Sequence, residues 1–103
     1  MIKAVFFIKG KNISGFSITG HADYRESNDI VCASVSSAAY MAANTLTDVI
    51  KAKADIEEQD GRMSVRTDST LPEVQTVLKG LRLHLEQLAD QYPANIKCNN
   101  SEV

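Results

Sequence analysis

A run of small apolar residues in the first half of the chain most constrains what this sequence can fold into. From Asn28 to Lys51 the chain is rich in alanine, valine and serine and carries few charges. Asn28 and Asp29 belong to the residue types that cap helix N-termini, so we predict a helix from this point to about Lys51. Its first half is apolar nearly all round, which is typical of a helix buried on more than one side. The small side chains allow this helix to pack closely against a sheet.

The residues before this helix predict a β-hairpin. Residues 2–9 are rich in β-branched and aromatic side chains, which are typical of a strand. The pair Gly10-Lys11 is a tight-turn signal, because glycine adopts a positive φ at little cost. Residues 12–19 then alternate between apolar and polar side chains after Gly15, so we expect one buried face.

A second hairpin is predicted after the helix. Residues 53–59 and 62–68 are separated by Asp60-Gly61, a strong hairpin turn signal. The apolar residues of the second strand are predicted to face inward and Ser64 outward, which is an antiparallel pattern with one exposed face. The acidic side chains of the first strand are predicted to form a solvated face.

The last third of the chain predicts a second helix. The sequence T-L-P-E at residues 70–73 is a helix start, with Thr70 as the cap and an early proline. Valine and leucine then recur at helical spacing as far as Leu88, and Pro93 ends the helix. The tail, residues 94–103, adds a possible short strand. The order is therefore β-β-α-β-β-α with a possible C-terminal strand, which is an α+β fold with a mixed sheet and two helices.

Length and charge restrict the class of protein. With 103 residues, we expect one domain over residues 1–103 that has a core of its own. The net charge of −2 gives no support to nucleic-acid binding, which needs clustered basic residues. No apolar run approaches the roughly 20 residues of a membrane span, and the apolar N-terminus is too short for a signal peptide. We therefore predict a cytoplasmic protein without a membrane or nucleic-acid partner.

Cys32 and His21 are the candidate catalytic pair. Cys32 follows Asp29 by three residues, so the predicted helix places its thiol in the first turn, where the helix N-terminus favours a thiolate. His21 follows the predicted end of a strand, and folding of the polar loop would bring it beside the sulfur as a general base. The alternative is structural: Cys32 is a small buried hydrophobe, and His21 only forms a hydrogen bond with the loop.

Other residues near this pair also have two interpretations. Asp29 either caps the helix or orients His21 as the third member of a triad, and one carboxylate can do both. Ser36 lies one turn after Cys32 on the same side of the helix and is either a site residue or a packed helix serine. A disulfide between Cys32 and Cys98 is not expected in a reducing cytosol, and no His/Cys spacing suggests zinc.

These motifs resemble a known bacterial family. The sequence G-H-A at residues 20–22, followed by D-I-V-C-A at 29–33 and by Ser36, resembles the ribosomal-processing cysteine proteases called Prp. The resemblance covers the whole chain through the M-I-K-A-V opening, the T-L-P-E helix start and a Y-P-x-N-I-K tail. A glycine that the family usually carries shortly before its aspartate is replaced here by E-S-N at residues 26–28.

The resemblance implies a function and a set of roles. It implies a cytoplasmic, homodimeric peptidase that removes the N-terminal leader of protein twenty-seven of the large ribosomal subunit, without a cofactor. By the same resemblance Cys32 is the nucleophile and His21 the general base. Asp29 and Ser36 are supporting residues, and Gly20 is a hinge for the loop that covers the site. Two other hypotheses remain open: a non-catalytic ribosome-associated binding module, and a structural or redox-responsive protein.

Overall fold

The computed structural model describes residues 1–20 and 26–103, with the backbone alone over residues 26–29. Its order of strands and helices confirms the predicted α+β class and includes the C-terminal strand. The elements are β1 (Ile2–Lys9), β2 (Asn12–Thr19), α1 (Glu26–Asn44), a π-helical segment (Thr45–Val49), β3 (Asp55–Gln59), β4 (Arg62–Arg66), α2 (Pro72–Gln91) and β5 (Ile96–Glu102).

The strands form one mixed sheet in the order β3-β4-β2-β1-β5. Both predicted hairpins are confirmed, and they join through the antiparallel pairing of β2 with β4. β5 lies on the other side of β1 and pairs with it in parallel, so it becomes an edge of the sheet. The two edges are therefore β3 and β5, and β2 lies in the middle.

The core lies between one face of this sheet and the two helices. From Ile2 to Phe7, the β1 side chains that point to this face are buried, whereas those on the opposite face are half-buried or exposed. The Phe6 and Phe16 rings lie with their centroids 6.0 Å apart and anchor the centre of the core. The helices contribute valine, leucine and alanine side chains that are buried in the same cluster: Val31, Val35, Ala39, Ala42, Ala43, Val74, Leu78, Leu81 and Leu85. The leucine and valine repeat of α2 is thus a core face.

Gly15 allows two strands to approach each other in the middle of the sheet. It lies beside an irregularity in the pairing of β1 with β2 and has a φ of 144°. A Cβ atom here would collide with the carbonyl oxygen of Val65 on β4. On the sheet face away from the helices, Arg66 and Phe7 lie on either side of Gly15, and each is in register with it. The Arg66 guanidinium lies 4.3 Å from the centre of the Phe7 ring.

Helix α1 begins earlier than predicted. It starts at Glu26, so Asp29 is its fourth residue and Cys32 its seventh. The prediction that Asn28 or Asp29 caps the helix was therefore wrong. A glutamate at the first position is favourable beside the helix N-terminus, and no glycine is present at residues 26–28 to interrupt the first turn. The polar loop predicted at residues 22–28 thus lies partly in α1, and its remainder falls outside the described residues.

Helix α2 also differs at its N-terminus. The N-cap is Leu71 and not Thr70, no cap hydrogen bond from its side chain is present, and Pro72 is the first helical residue. The chain is held instead by Gln75, whose side chain is buried. Its Oε1 accepts a hydrogen bond from the backbone N–H of Ile13 (2.8 Å), and its Nε2 donates to the carbonyl oxygen of Ile13 (2.9 Å). This amide side chain ties α2 to β2.

The second hairpin is less regular in its burial than predicted. Met63 and Val65 face the core as expected, but Ser64, predicted to face solvent, is buried as well. A serine side chain is small, and neighbours in the middle of a sheet cover it. β3 is exposed along its whole length because it forms an edge.

Candidate active site

Cys32 lies in the second turn of α1 and is half-buried. It is therefore neither a core residue nor a fully exposed one. Its side chain packs against the hydrophobic core while part of it remains accessible. The helix N-terminus was expected to favour a Cys32 thiolate. This effect is weak in the second turn, because the influence of the helix dipole falls off within the first turn.

Cys32 lines a cleft between α1 and the β3–β4 hairpin with a volume of about 150 Å³. Apolar side chains from both sheet and helix form part of its wall: Ile2, Ile18, Val35, Ala39 and Met63. Polar residues lie around them: Ser36, Tyr40, Glu58, Gln59 and Arg62. Small-molecule pockets usually measure roughly 300–1,000 Å³, so this cleft suits individual side chains of an extended peptide better than a drug-sized ligand.

Gly20 brings the end of β2 to the same cleft. It lines the cleft together with Cys32, and its backbone N–H donates a hydrogen bond to the carbonyl oxygen of Gly61 (3.0 Å). Its φ of 88° is in the left-handed region, and a Cβ atom would collide with the carbonyl oxygen of Met1. Glycine is therefore required here by conformation and by space.

The opposite part of the cleft contains a contact between helix and sheet. The hydroxyl of Tyr40 on α1 donates a hydrogen bond to the carboxylate of Glu58 on β3. Both side chains are exposed, so the contact lies at the rim of the cleft. It connects the helix that carries Cys32 to the edge strand of the sheet.

Cys98 lies apart from the cleft, on β5, and no disulfide joins it to Cys32. Burial raises the pKa of the Cys98 thiol above its ordinary value. The nearby carboxylate of Glu86 raises this pKa further, whereas the guanidinium of Arg82 opposes the shift. Cys98 is therefore a poor source of thiolate at neutral pH.

The structure brings together some of the predicted site residues. Cys32, Ser36 and Gly20 all line the cleft. Ser36 is exposed, so its interpretation as a packed helix serine was wrong. His21 lies outside the described residues, and of Asp29 only the backbone is described.

Two cleft residues, Tyr40 and Glu58, were not singled out from the sequence. Tyr40 follows Cys32 and Ser36 at further helical spacing, so helical periodicity alone would have placed it on the same side of α1. Glu58 was assigned to a solvated strand face, and only the packing of the hairpin beside α1 brings it to the cleft. No local sequence pattern predicts that packing.

Two features are absent from the described ranges, 1–20 and 26–103. Within them no cluster of His, Cys, Asp and Glu side chains has the arrangement of a metal site. Neither α1 nor α2 is long and apolar enough to cross a membrane.

Comparison with known proteins gives consistent matches. The family model described as cysteine protease Prp matches residues 1–97. The ribosomal processing cysteine protease Prp of Staphylococcus aureus (strain NCTC 8325 / PS 47) is 31% identical over 84 residues, which cover 78% of this chain and 79% of that protein.

Solved structures share the fold over nearly the whole chain. The essential ribosomal processing protease Prp from S. aureus, in complex with a covalently linked product peptide, superposes with a TM-score of 0.89 at 26% identity. The match covers 98% of this chain and 100% of that one. SMU.848 from Streptococcus mutans has a TM-score of 0.85 at 24% identity and covers 100% and 96% of the two chains, which shows the fold alone.

Proposed function

This chain belongs to the Prp family of cysteine proteases, and from that premise we propose that it removes the N-terminal leader of protein twenty-seven of the large ribosomal subunit. Membership in a protease family favours this function over a non-catalytic binding module or a redox-responsive protein. The S. aureus relative is a ribosomal processing protease and has been crystallised with a covalently linked product peptide. A peptide substrate follows for this chain by homology.

We assign the nucleophile to Cys32 and the general base to His21. The Cys32 thiol gives its proton to His21, and the sulfur attacks the carbonyl carbon of the scissile peptide bond. The C–N bond then breaks, His21 returns the proton to the leaving amine, and a thioester with Cys32 remains. Water, deprotonated by His21, hydrolyses the thioester and regenerates the thiol. The atoms balance without a cofactor.

One observation carries this assignment: Cys32 and Gly20 line the same cleft. The two halves of the motif, G-H-A and D-I-V-C, are separated in sequence, and the residue that precedes His21 borders the cavity that contains the nucleophile. A half-buried thiol in a cleft with apolar walls is accessible to a peptide and partly shielded from water.

The position of Cys32 in the helix makes His21 the main group that activates the sulfur in this proposal. In the first turn, backbone N–H groups would have favoured the thiolate, but Cys32 is the seventh residue of α1. Activation of the sulfur therefore depends on the imidazole. Asp29 is one turn before Cys32 in the same helix, and in this proposal it supports the pair by orienting His21. Ser36 borders the substrate, and we assign Gly20 the role of a hinge beside the cleft.

The proposal includes the setting in which the enzyme acts. We propose a homodimer in the cytoplasm, where its ribosomal-protein substrate is made. Sedimentation of the purified protein tests the dimer, since a monomer at micromolar concentration would contradict it.

Cleavage of the leader tests the proposed substrate. The purified protein is incubated with the natural leader sequence of the ribosomal protein and with a scrambled peptide of the same composition. Mass spectrometry should find one cleavage in the natural peptide and none in the scrambled one. His21→Ala should lower the rate by at least about a hundredfold, because general-base catalysis supplies that much. Equal cleavage of both peptides, or none of either, contradicts the proposed substrate.

A further inference from the structure

The cleft follows α1 from Cys32 to Tyr40. Cys32, Ser36 and Tyr40 follow one another at intervals of four residues along α1 and all line the cleft. Eight residues of α-helix advance about 12 Å. An extended peptide advances roughly 3.3–3.6 Å per residue, so three or four residues of a substrate that runs along α1 would span the distance from Cys32 to Tyr40.

Glu58 faces this end of the cleft by strand geometry. It is in register with Met63, whose side chain is buried in the core, so Glu58 is on the sheet face that α1 covers. Its neighbour Glu57 is in register with Ser64 and points to the opposite face. Arg62 also borders the cleft, but by the same alternation it belongs to the face of Glu57. The carboxylate that α1 meets is therefore that of Glu58, and the Tyr40 hydroxyl holds it.

The chemistry of this end of the cleft fits a long cationic side chain. A carboxylate has about four lone-pair positions, so Glu58 retains acceptor capacity beyond the hydrogen bond from Tyr40. The cleft wall also contains the apolar residues Met63, in register with Glu58, and Ile18, in register with Met63 and only half-buried. Lysine and arginine bury their aliphatic stems against such a surface and keep the charged head at its polar end.

We infer that Glu58, positioned by Tyr40, is a specificity residue that binds a lysine or arginine of the substrate three or four residues from the scissile bond. This inference rests on the proposed function of the cleft as the peptide site. It adds the substrate feature that the cleft selects, and the Tyr40 hydroxyl is a positioning group for the carboxylate.

Matched peptides test the inference. A cleavable peptide is made with lysine or with methionine at each of the third and fourth positions on either side of the scissile bond. The ratio of kcat/KM for the lysine and methionine peptides is measured for the wild type, Glu58→Gln and Glu57→Gln. Binding of the same peptides to Cys32→Ser protein, with and without Glu58→Gln, is measured by fluorescence anisotropy, so the test does not depend on cleavage.

We expect the wild type and Glu57→Gln to prefer lysine by about fivefold at one of these positions, the upper end for an exposed ion pair. Glu58→Gln should abolish the preference while still cleaving the methionine peptide, and Tyr40→Phe should reduce it. A lysine preference that is unchanged in Glu58→Gln, or absent from the wild type at all four positions in both assays, overturns the inference. Failure of the wild type to cleave any peptide, with the lysine preference retained in the binding assay, would instead refute the proposed function.

Discussion

Substitution of Gly20 by alanine tests how the segment before His21 is held at the cleft. The alanine must adopt a φ of 88°, in the left-handed region, which costs about 1–2 kcal/mol. Its Cβ would also collide with the carbonyl oxygen of Met1. That carbonyl cannot move easily, because the next residue, Ile2, is buried and its N–H donates a hydrogen bond to the carbonyl oxygen of Asn95 (2.8 Å).

The expected loss of stability can be estimated against a control. Overpacking adds about 1–3 kcal/mol to the strain, and the stiffer unfolded chain returns about 0.4–1 kcal/mol. Gly20→Ala should therefore lower the free energy of unfolding by about 2–4 kcal/mol. Gly10→Ala is the matched control, because Gly10 also has a positive φ (63°) but nothing lies within 4 Å of its Cβ position. It should lose only about 1 kcal/mol.

Urea denaturation of the two variants measures this difference. Gly20→Ala should have a lower urea midpoint than Gly10→Ala at an unchanged m-value. It should also lose peptidase activity under conditions where it is fully folded, since Gly20 borders the cleft. Equal stability of the two variants within about 0.5 kcal/mol, the usual scatter of neutral substitutions, would contradict a collision with the Met1 carbonyl.

Other expected outcomes concern the core and the thiols. Gln75→Leu should lower the free energy of unfolding in urea by about 2–4 kcal/mol, because it removes the hydrogen bonds that Gln75 makes to the buried backbone N–H and C=O of Ile13. Gln87 is exposed on the same helix, so Gln87→Leu should change this free energy by no more than about 0.5 kcal/mol. Equal effects of the two substitutions would contradict the role of Gln75. The raised pKa of Cys98 means that the native state keeps the thiol proton to a higher pH than the unfolded state, so this contribution to stability is present below pH 9.0 and is lost as the pH rises through the native pKa. Cys98→Ser should accordingly flatten the fall of unfolding free energy above pH 9.0, and identical slopes would speak against it. Brief iodoacetamide treatment at neutral pH should label Cys32 at least about tenfold faster than Cys98, as measured by mass spectrometry, and equal labelling would contradict an activated thiol.

Local sequence patterns predicted the strands well because their causes are local. Gly10-Lys11 and Asp60-Gly61 are turn signals that act within a few residues, and both turns are where the pattern put them. Helix starts were less accurate. Thr70 and Asp29 have the chemistry of caps, but neither is the cap in the structure. Helix α1 begins at Glu26, before Asp29, and helix α2 begins at Pro72, with Leu71 as its N-cap. A capping residue type is a preference of about 1 kcal/mol, which neighbouring residues override.

Tertiary features of the site could not be predicted in the same way. The resemblance of the motifs identified Cys32 and Gly20, and the structure brings these two residues to one cleft. The location of Glu58 in the cleft depends on the pairing of β3 with β4 and on the packing of α1 beside that hairpin. Both are long-range contacts. The length of β5 is also a tertiary effect. Its polar sequence, K-C-N-N-S-E, has weak strand preference, and its backbone pairing with β1 extends it to Glu102.

A comparison of Cys32→Ser with Cys98→Ser on the ribosomal leader peptide tests whether Cys32 is the nucleophile. Serine has nearly the shape of cysteine, but its hydroxyl is much less acidic than a thiol. The proposed base, His21, therefore cannot readily produce a nucleophilic anion from it. Folded Cys32→Ser should bind the leader with near wild-type affinity and cleave it at least about a thousandfold more slowly, the scale of loss when a catalytic nucleophile is removed. Cys98→Ser should cleave at the wild-type rate. Cleavage by Cys32→Ser at the wild-type rate would contradict the claim.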